Sequence, residues 1–283
     1  MIPTSREASS RGALFLDVCD ARSVEEAFRQ ALPSIVIHCA SYGVNYAEQD
    51  PECAMKVNVE GSLSVLMSAA KYGVKRFVHL GSCFEYGDQP GPISESALLS
   101  PTALYGATKA AATLLILDRA RALGVKLLVL RPFGIWGPRE RAYRLIPQVV
   151  SACLDARPLK LTACEVVRDY TYVEDMAQWI LALATLPEIP DRAVVNVGSG
   201  RGVILRDFVL SVAGLLHGED LMQFGQLAYR PTEMTSLVAD TRLFKSLLGT
   251  PRETSLSEGV MRMVMSMKGA PRSEVPMPLE HSQ

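Results

Sequence analysis

The chain carries almost no net charge. Its 29 Lys and Arg stand against 30 Asp and Glu, leaving −1 at neutral pH. Nothing in that balance points to nucleic acid or to an anionic membrane surface. Cysteine pairing is missing too. Cys19, Cys39, Cys53, Cys83, Cys153 and Cys164 are scattered with no C-x-x-C pair. This excludes a disulfide frame or a zinc site by spacing and reads as reduced core residues of an intracellular protein. No apolar run reaches the length of a membrane span, and the first residues lack the apolar centre of a signal peptide. The default expectation is a cytoplasmic protein with no bound metal. There is no internal repeat. What the chain does have is an ordinary globular balance, 48% hydrophobic and 21% charged over 283 residues. That is enough for one large domain, or a domain with a lobe, around a sizeable core.

Residues 1–12 are polar and read as disordered. Ala13–Val18 is a short buried strand, with Asp17 and Asp20 at its end. Ser23 is placed to cap a helix over Val24–Leu32. Ser34–Ala40 is continuously apolar, the pattern of a central parallel strand buried on both faces. A polar loop leads to a long helix, Glu52–Tyr72, stopped by Gly73. Strand Arg76–Leu80, helix Leu104–Leu123 and strand Val125–Leu130 follow. Beyond Pro138 the pattern predicts helix Ile146–Ala156, strand Leu159–Thr162, helix Met176–Leu186, strand Ala193–Gly198, and helices over Arg206–Leu216 and Thr241–Leu248. The tail from Gly269, with three prolines, reads as disordered. Alternating strands and helices imply an α/β fold with a mostly parallel, doubly wound sheet. Sites in such sheets lie at the carboxyl ends of the strands.

The stretch Ser82 to Lys109 carries the candidate chemistry. Ser82 closes an apolar strand, and Tyr105 and Lys109 stand four residues apart at the start of an alanine-rich helix. Positions i and i+4 share a helix face, so the ammonium sits beside the phenol. A neighbouring positive charge favours the phenolate and lowers the tyrosine pKa, which makes Tyr105 a candidate proton donor and acceptor. Ser82 is placed to bond the same substrate oxygen. Taken alone, Tyr-x-x-x-Lys is also what a packed tyrosine and a solvated lysine give.

With its neighbouring motifs the chain resembles the extended short-chain dehydrogenases/reductases, in the NAD-dependent epimerase/dehydratase branch acting on nucleotide sugars. The resemblance runs from Ala13 to Gly249. Leu16-Asp17-Val18-Cys19-Asp20 resembles the segment whose first Asp meets the adenine ring. His38-Cys39-Ala40-Ser41 resembles the strand end along the dinucleotide. Asp50-Pro51 with Asn58-Val59-Glu60-Gly61-Ser62 resembles the family's D-P…N-x-x-G-[ST] helix. Ser82, Tyr105 and Lys109 fall on the catalytic triad. Arg131-Pro132-Phe133 matches the backbone approaching the nicotinamide. Arg168-Asp169-Tyr170 and Arg230-Pro231-Thr232-Glu233 resemble the stretches that hold the sugar nucleotide, with arginines suited to its diphosphate. The resemblance therefore implies NAD or NADP as cofactor, bound by Asp17, Val18, Ala40, Asn58, Tyr105, Lys109 and Pro132. It implies substrate contacts at Ser82, Cys83, Phe84, Gly134, Arg168, Arg230 and Glu233.

Blander readings stand beside these. Asp17 also reads as a strand-end cap, Asn58 as a buried amide bonding backbone, Arg168 as an ion-pair partner of Glu165, and Tyr86 as packing rather than a sugar contact. Asn196-Val197-Gly198-Ser199-Gly200 reads as a turn more readily than as a phosphate loop.

Three departures from the family pattern matter. The family opens with a strand, a G-x-x-G-x-x-G turn and a helix that carry the pyrophosphate. Here Ala13–Val18 matches the family's third strand. The expectation is that a βαβ opening of roughly 40 to 50 residues is absent, through a misassigned start, a truncation, or compensation by association. Second, 4,6-dehydratases carry Asp-Glu directly after the residue matching Ser82, where this chain has Cys83 and Phe84. Glu85 comes one residue later and, on a strand, points to the other face. Dehydration is not expected. Third, Gly134 stands where many epimerases have Asn.

The fold implied is a Rossmann-like sheet, N-terminally truncated, over residues 1–137 and 169–200. A smaller α+β substrate lobe spans 138–168 and 201–268, followed by a disordered tail over 269–283. The function implied is an NAD(P)-dependent nucleotide-sugar epimerase or 4-ketoreductase. Helices Glu52–Tyr72 and Leu104–Leu123 match the family's homodimer interface. The rival reading is an inactive relative kept as a binding or regulatory subunit.

Overall fold

The computed structural model describes residues 1–6 and 12–269. Strands β1 (Thr4–Ser5) and β2 (Leu14–Phe15) form a small parallel pair, so part of the segment expected to be disordered is paired. Helix α1 (Ala21–Ala31) follows. Its cap is Asp20, whose carboxylate accepts the Arg22 N–H at 2.9 Å. Ser23, the expected cap, lies inside the first turn and accepts the Asp17 N–H instead. After β3 (Ile35–His38) comes one continuous helical rod of three parts. These are α2 (Pro51–Ala54), a seven-residue π-helical stretch Met55–Gly61, and α3 (Ser62–Lys71). The sequence pattern predicts one regular helix here, and the π-helical stretch with its i→i+5 bonds is the departure from it.

Strand β4 (Arg76–Leu80), β5 (Pro92–Ile93), α4 (Leu104–Leu123), β6 (Leu127–Pro132) and β7 (Gly134–Trp136) complete the first half. Then come α5 (Leu145–Leu154), β8 (Leu159–Lys160), β9 (Val167–Tyr172), α6 (Val173–Thr185), β10 (Ala193–Val197), β11 (Gly202–Ile204), α7 (Leu205–Gly214), β12 (Met222–Gln223), β13 (Ser236–Ala239), α8 (Arg242–Leu248) and α9 (Leu256–Gly269). Of the tail expected over 269–283, Gly269 ends α9 and residues 270–283 lie outside the described residues.

The central sheet is parallel, in the order β10-β6-β4-β3. Side chains alternate across it. Phe77, Leu127 and Val129 face α1, α3 and α4 together with Val65, Leu66 and Ile116. Val78, Leu128, Leu130, Val195 and Val197 face α6 and α8 with Trp179, Leu183 and Phe244. Each such side chain fully buried contributes about 1.5–3 kcal/mol. Burial on both faces therefore holds the sheet. Helix α8 falls in the lobe by sequence but packs under this sheet, since Phe244 completes its second face.

A separate apolar cluster ties α5, α7 and α9 together through Ile146, Val149, Val150, Val209, Val212, Val260 and Met263. Between the two, β9 pairs with β7, β11 and β13. Its Asp169 is fully buried and accepts from Ser199 N and Oγ, Gly200 N and Ala239 N. The turn Gly198–Gly200 thus spends its amides on Asp169, as a structural turn does. Among the described residues, no helix is long and apolar enough to cross a membrane.

Candidate active site

Strand β4 hands the chain to Gly81 and Ser82, and there the backbone turns. Cys83–Glu85 is a 3₁₀ turn with Ser82 as its cap. The Ser82 Oγ accepts the Phe84 N–H at 3.2 Å, and Glu85 accepts the Ser82 N–H at 2.8 Å. This reciprocal pair is a capping box. Glu85 therefore does not sit on a strand with its side chain across the sheet, as the sequence reading had it. The turn carries it inward, and it is fully buried.

Helix α4 brings Tyr105 and Lys109 to the same place. The Tyr105 hydroxyl lies near the side chains of Ser82 and Ser41, both of which pull its pKa down. Lys109 is 2% exposed and donates to the Leu80 carbonyl at 2.5 Å, at the end of β4. The start of α4 presses closely on the turn before it. A Cβ on Gly106 would lie 2.3 Å from the Phe84 carbonyl oxygen. The exposed Phe84 ring meets Tyr105 edge-on at 5.9 Å.

The expected effect of Lys109 on Tyr105 is overturned. Burial pushes the phenol up to about 12, while Ser82 and Ser41 pull it down. Lys109 turns its ammonium to a backbone carbonyl, and burial in turn pushes it down to about 8. Ser41 was not among the expected site residues. It lies in the family-like strand-end segment, but no spacing rule tied it to a tyrosine 64 positions later.

Beneath the site lies a polar layer. Asn58 is fully buried, and its amide is spent inside the protein. It accepts from Tyr42 N at 2.7 Å and donates to Tyr42 O at 2.9 Å and Thr108 Oγ1 at 2.8 Å. It clamps the loop after β3, in keeping with the reading of a buried amide that bonds backbone. His38 is bonded to Ser62 Oγ at 2.9 Å, and burial, with Lys109 adding, pushes its imidazole down to about 3. His79 stacks on His38 at 5.8 Å and is held well below its usual range by burial.

The remaining expected residues fall into two groups. On the adenine side, the Asp17 carboxylate accepts the Cys19 N–H at 2.9 Å, and Val18 packs against the helical rod. A Cβ on Gly61 would come within 2.8 Å of Val18 Cγ2, so only glycine allows that approach. Ala40 packs beside Val18's cluster, and Pro132 ends β6.

On the other side, Arg168 pairs with Glu233 and donates to Met234 O at 2.8 Å. Two expected substrate contacts thus hold each other, and the alternative partner Glu165 is not used by Arg168. Arg230 is exposed and stacks on Tyr46 at 4.5 Å. Cys83 turns into an apolar cluster with Phe133, Met234 and Leu237, where burial pushes its thiol up to about 12. Gly134 pairs with Tyr170 and owes its lack of side chain to β9, because a Cβ would meet Asp169 O at 2.6 Å. Tyr86 is fully buried, and its hydroxyl lies 2.8 Å from both Asn196 and Arg131, so it is packing.

The model of the NAD dependent epimerase/dehydratase family matches residues 3–198. The chain belongs to that family. A UDP-glucuronate 4-epimerase of Thermodesulfobacterium geofontis is 26% identical over 252 residues, 88% of this chain and 77% of the relative. A dTDP-glucose 4,6-dehydratase of Salmonella typhimurium is 26% identical over 71% of this chain and 61% of its own length. The UDP-glucose 4-epimerase of Thermus thermophilus, solved with NAD, superposes with a TM-score of 0.82 at 25% identity, covering 94% of this chain and 87% of that one. That of Thermotoga maritima, solved with UDP-glucose, gives 0.82 at 25% identity over 94% and 90%. This family member therefore has the Rossmann-type α/β fold of those epimerases.

Proposed function

We propose that this chain is an NAD(P)-dependent nucleotide-sugar epimerase or 4-ketoreductase in which Tyr105 exchanges a proton with a sugar oxygen. One observation carries the reading. The Ser82 and Tyr105 side chains lie near each other at the carboxyl end of β4, where the buried ammonium of Lys109, one helical turn on, donates to the Leu80 carbonyl. When bound, the nicotinamide accepts or returns a hydride at the sugar carbon.

The residues present suit the ribose end of such a cofactor. An ammonium has three donors, and among the described residues Lys109 meets one acceptor, Leu80 O. Two donors remain for ribose hydroxyls. Asp17, Val18, Ala40 and Pro132 lie at the ends of strands, along the route such a cofactor takes. In the Gly198–Gly200 turn Asp169 takes the amides of Ser199 and Gly200, which weighs against a pyrophosphate site there.

Tyr105 keeps its proton at neutral pH with a pKa near 12. That suits donation to the oxygen of a ketone under reduction, with Ser82 bonding the same oxygen. The buried thiol of Cys83 and the apolar ring of Phe84 weigh against 4,6-dehydration. Arg230, with Arg168 and Glu233 behind it, is the proposed face for the substrate diphosphate.

The reading includes a two-lobed division, a cytoplasmic location and a homodimer. The exposed Met67 of α3 and the exposed Leu114 and Leu115 of α4 support the last, since such a face gains from being covered.

Titration of the purified chain with NAD(H) and NADP(H), followed by nicotinamide fluorescence, tests the cofactor. No binding at millimolar concentration sinks the reading. With nucleotide sugars as substrates, Tyr105→Phe should lose turnover by about 10²–10⁴-fold and keep its cofactor affinity. An active mutant would overturn the assigned role.

A further inference from the structure

Glu85 has no part in the chemistry above, yet its carboxylate is held by three donors beside the site. It is fully buried. Its Oε1 accepts the Ser82 N–H at 2.8 Å and the Thr113 hydroxyl at 3.0 Å, and its Oε2 accepts the Arg131 Nε–H at 2.9 Å. Burial pushes the Glu85 carboxyl up, and it is Arg131, the Ser82 amide and Thr113 that favour its ionised form. Arg131 is 4% exposed and cannot shed its charge, so it requires that anion. The fit is close. A Cβ on Gly81 would lie 2.3 Å from Glu85 Oε1, so the carboxylate rests directly on a bare backbone.

The partners of Glu85 are what give it a role. Tyr105, Lys109 and Thr113 recur every four residues on α4 and form one stripe of that helix. The same carboxylate oxygen that holds the Ser82 amide also holds the third member of this stripe. The strand end bearing the serine and the helix bearing the tyrosine and lysine are thereby locked to a common point.

The charge matters as well. Lys109 and Arg131 are both buried cations here. Lys109 faces Glu85 and Cys39, which raise its pKa. It also faces the imidazoles of His38 and His79, whose own protonation it opposes. Tyr105 stands one turn before it. In this group Glu85 is the carboxylate that favours the ammonium.

We propose that Glu85 is a positioning residue for the Ser82–Tyr105–Lys109 site. It ties the serine to the helix of the other two and keeps Lys109 charged. The inference rests on the reading of those three residues as the site, but its first test needs neither substrate nor cofactor.

Lysine labelled with ¹³C at the ε carbon gives the titration midpoint of Lys109 by NMR, assigned with Lys109→Arg. Glu85→Gln should lower that midpoint by about one pH unit, and Glu85→Asp should leave it nearly in place. An unmoved midpoint in Glu85→Gln, or equal shifts in both variants, overturns the role of the charge. Thr113→Val tests the tie separately and guards against a Glu85→Gln chain that does not fold. It should lower kcat about tenfold with KM unchanged and the Lys109 midpoint unmoved. Wild-type kcat in Thr113→Val overturns the tie. A wild-type chain without sugar-nucleotide activity sinks the proposed function, while the Lys109 midpoints still decide the role of Glu85.

Discussion

Strand β4 is hydrogen-bonded on both sides, to β3 and β6, and Phe77, Val78 and His79 are buried. Strand β3, beside it and just as apolar in sequence, is paired only to β4 among the described residues. Its Ile35, Val36 and Ile37 stay partly exposed. The loops that follow differ in the same way. After β4 the chain is locked at once by the Ser82 capping box and the buried pair Glu85–Arg131. After β3 the chain emerges with Cys39 and Ser41 exposed. It is held by the Asn58 clamp on Tyr42, by the Gly43 N–H on Glu48, and by Tyr46 under Arg230. An apolar run reports what a strand can bury, and its neighbours decide what it does bury. The proposed chemistry sits on the locked side, where a fixed geometry between reacting groups is worth most.

The largest test of this contrast strikes the locked side. Gly106→Ala drives a methyl into the Phe84 carbonyl, which belongs to backbone already held by the cap. Neither partner can step aside. The expected loss is about 2–3 kcal/mol of folding stability, read as a shift in the urea midpoint with an unchanged slope. A shift below about 0.5 kcal/mol would mean the junction yields, and the contrast with the β3 side would fail.

Hydrogen exchange compares the two strands directly. The backbone amides on the unpaired side of β3 should exchange about a hundredfold faster than those of β4, which is bonded on both sides. Equal protection would show that something covers the β3 edge in solution. Repeating the measurement at several protein concentrations would tell a second copy of the chain from an intramolecular cover.

Sequence reading went furthest where the signal is local. Helix Leu104–Leu123 and strand Arg76–Leu80 have the ends the pattern predicts, because apolar periodicity and a closing Gly124 in the left-handed region mark them. Ser82, Tyr105 and Lys109 lie around the carboxyl end of β4. What was missed depends on partners far along the chain. The strands β7, β9, β11 and β13 read poorly, since Arg-Asp-Tyr-Thr-Tyr mixes charge and aromatics, and Asp169 is buried only because Ser199, Gly200 and Ala239 supply donors. The direction of the Tyr105 pKa was misread for a related reason. Spacing puts a lysine on the same face, but not its ammonium on the Leu80 carbonyl, and it says nothing of burial. Two signals were available and unused. Ser82-x-x-Glu85 is a capping-box spacing, and Thr113 continues the four-residue stripe of Tyr105 and Lys109.

The smallest predicted effect sharpens the account of the loose side. Tyr46, from the loop after β3, stacks under the exposed guanidinium of Arg230 from the opposite stretch of chain. An exposed contact of this kind is worth about 0.5–1 kcal/mol. If Arg230 receives the substrate diphosphate, the stack serves to hold its side chain extended and ready. Tyr46→Ala should then raise KM for a nucleotide sugar by about two- to fivefold, the affinity equivalent of that energy, and leave kcat alone. Tyr46→Phe keeps the ring and should behave as wild type. A fall in kcat would place Tyr46 with the reacting groups and move the border between the two regions. An unchanged KM in Tyr46→Ala would remove Arg230 from the diphosphate face, or show that its side chain needs no support there.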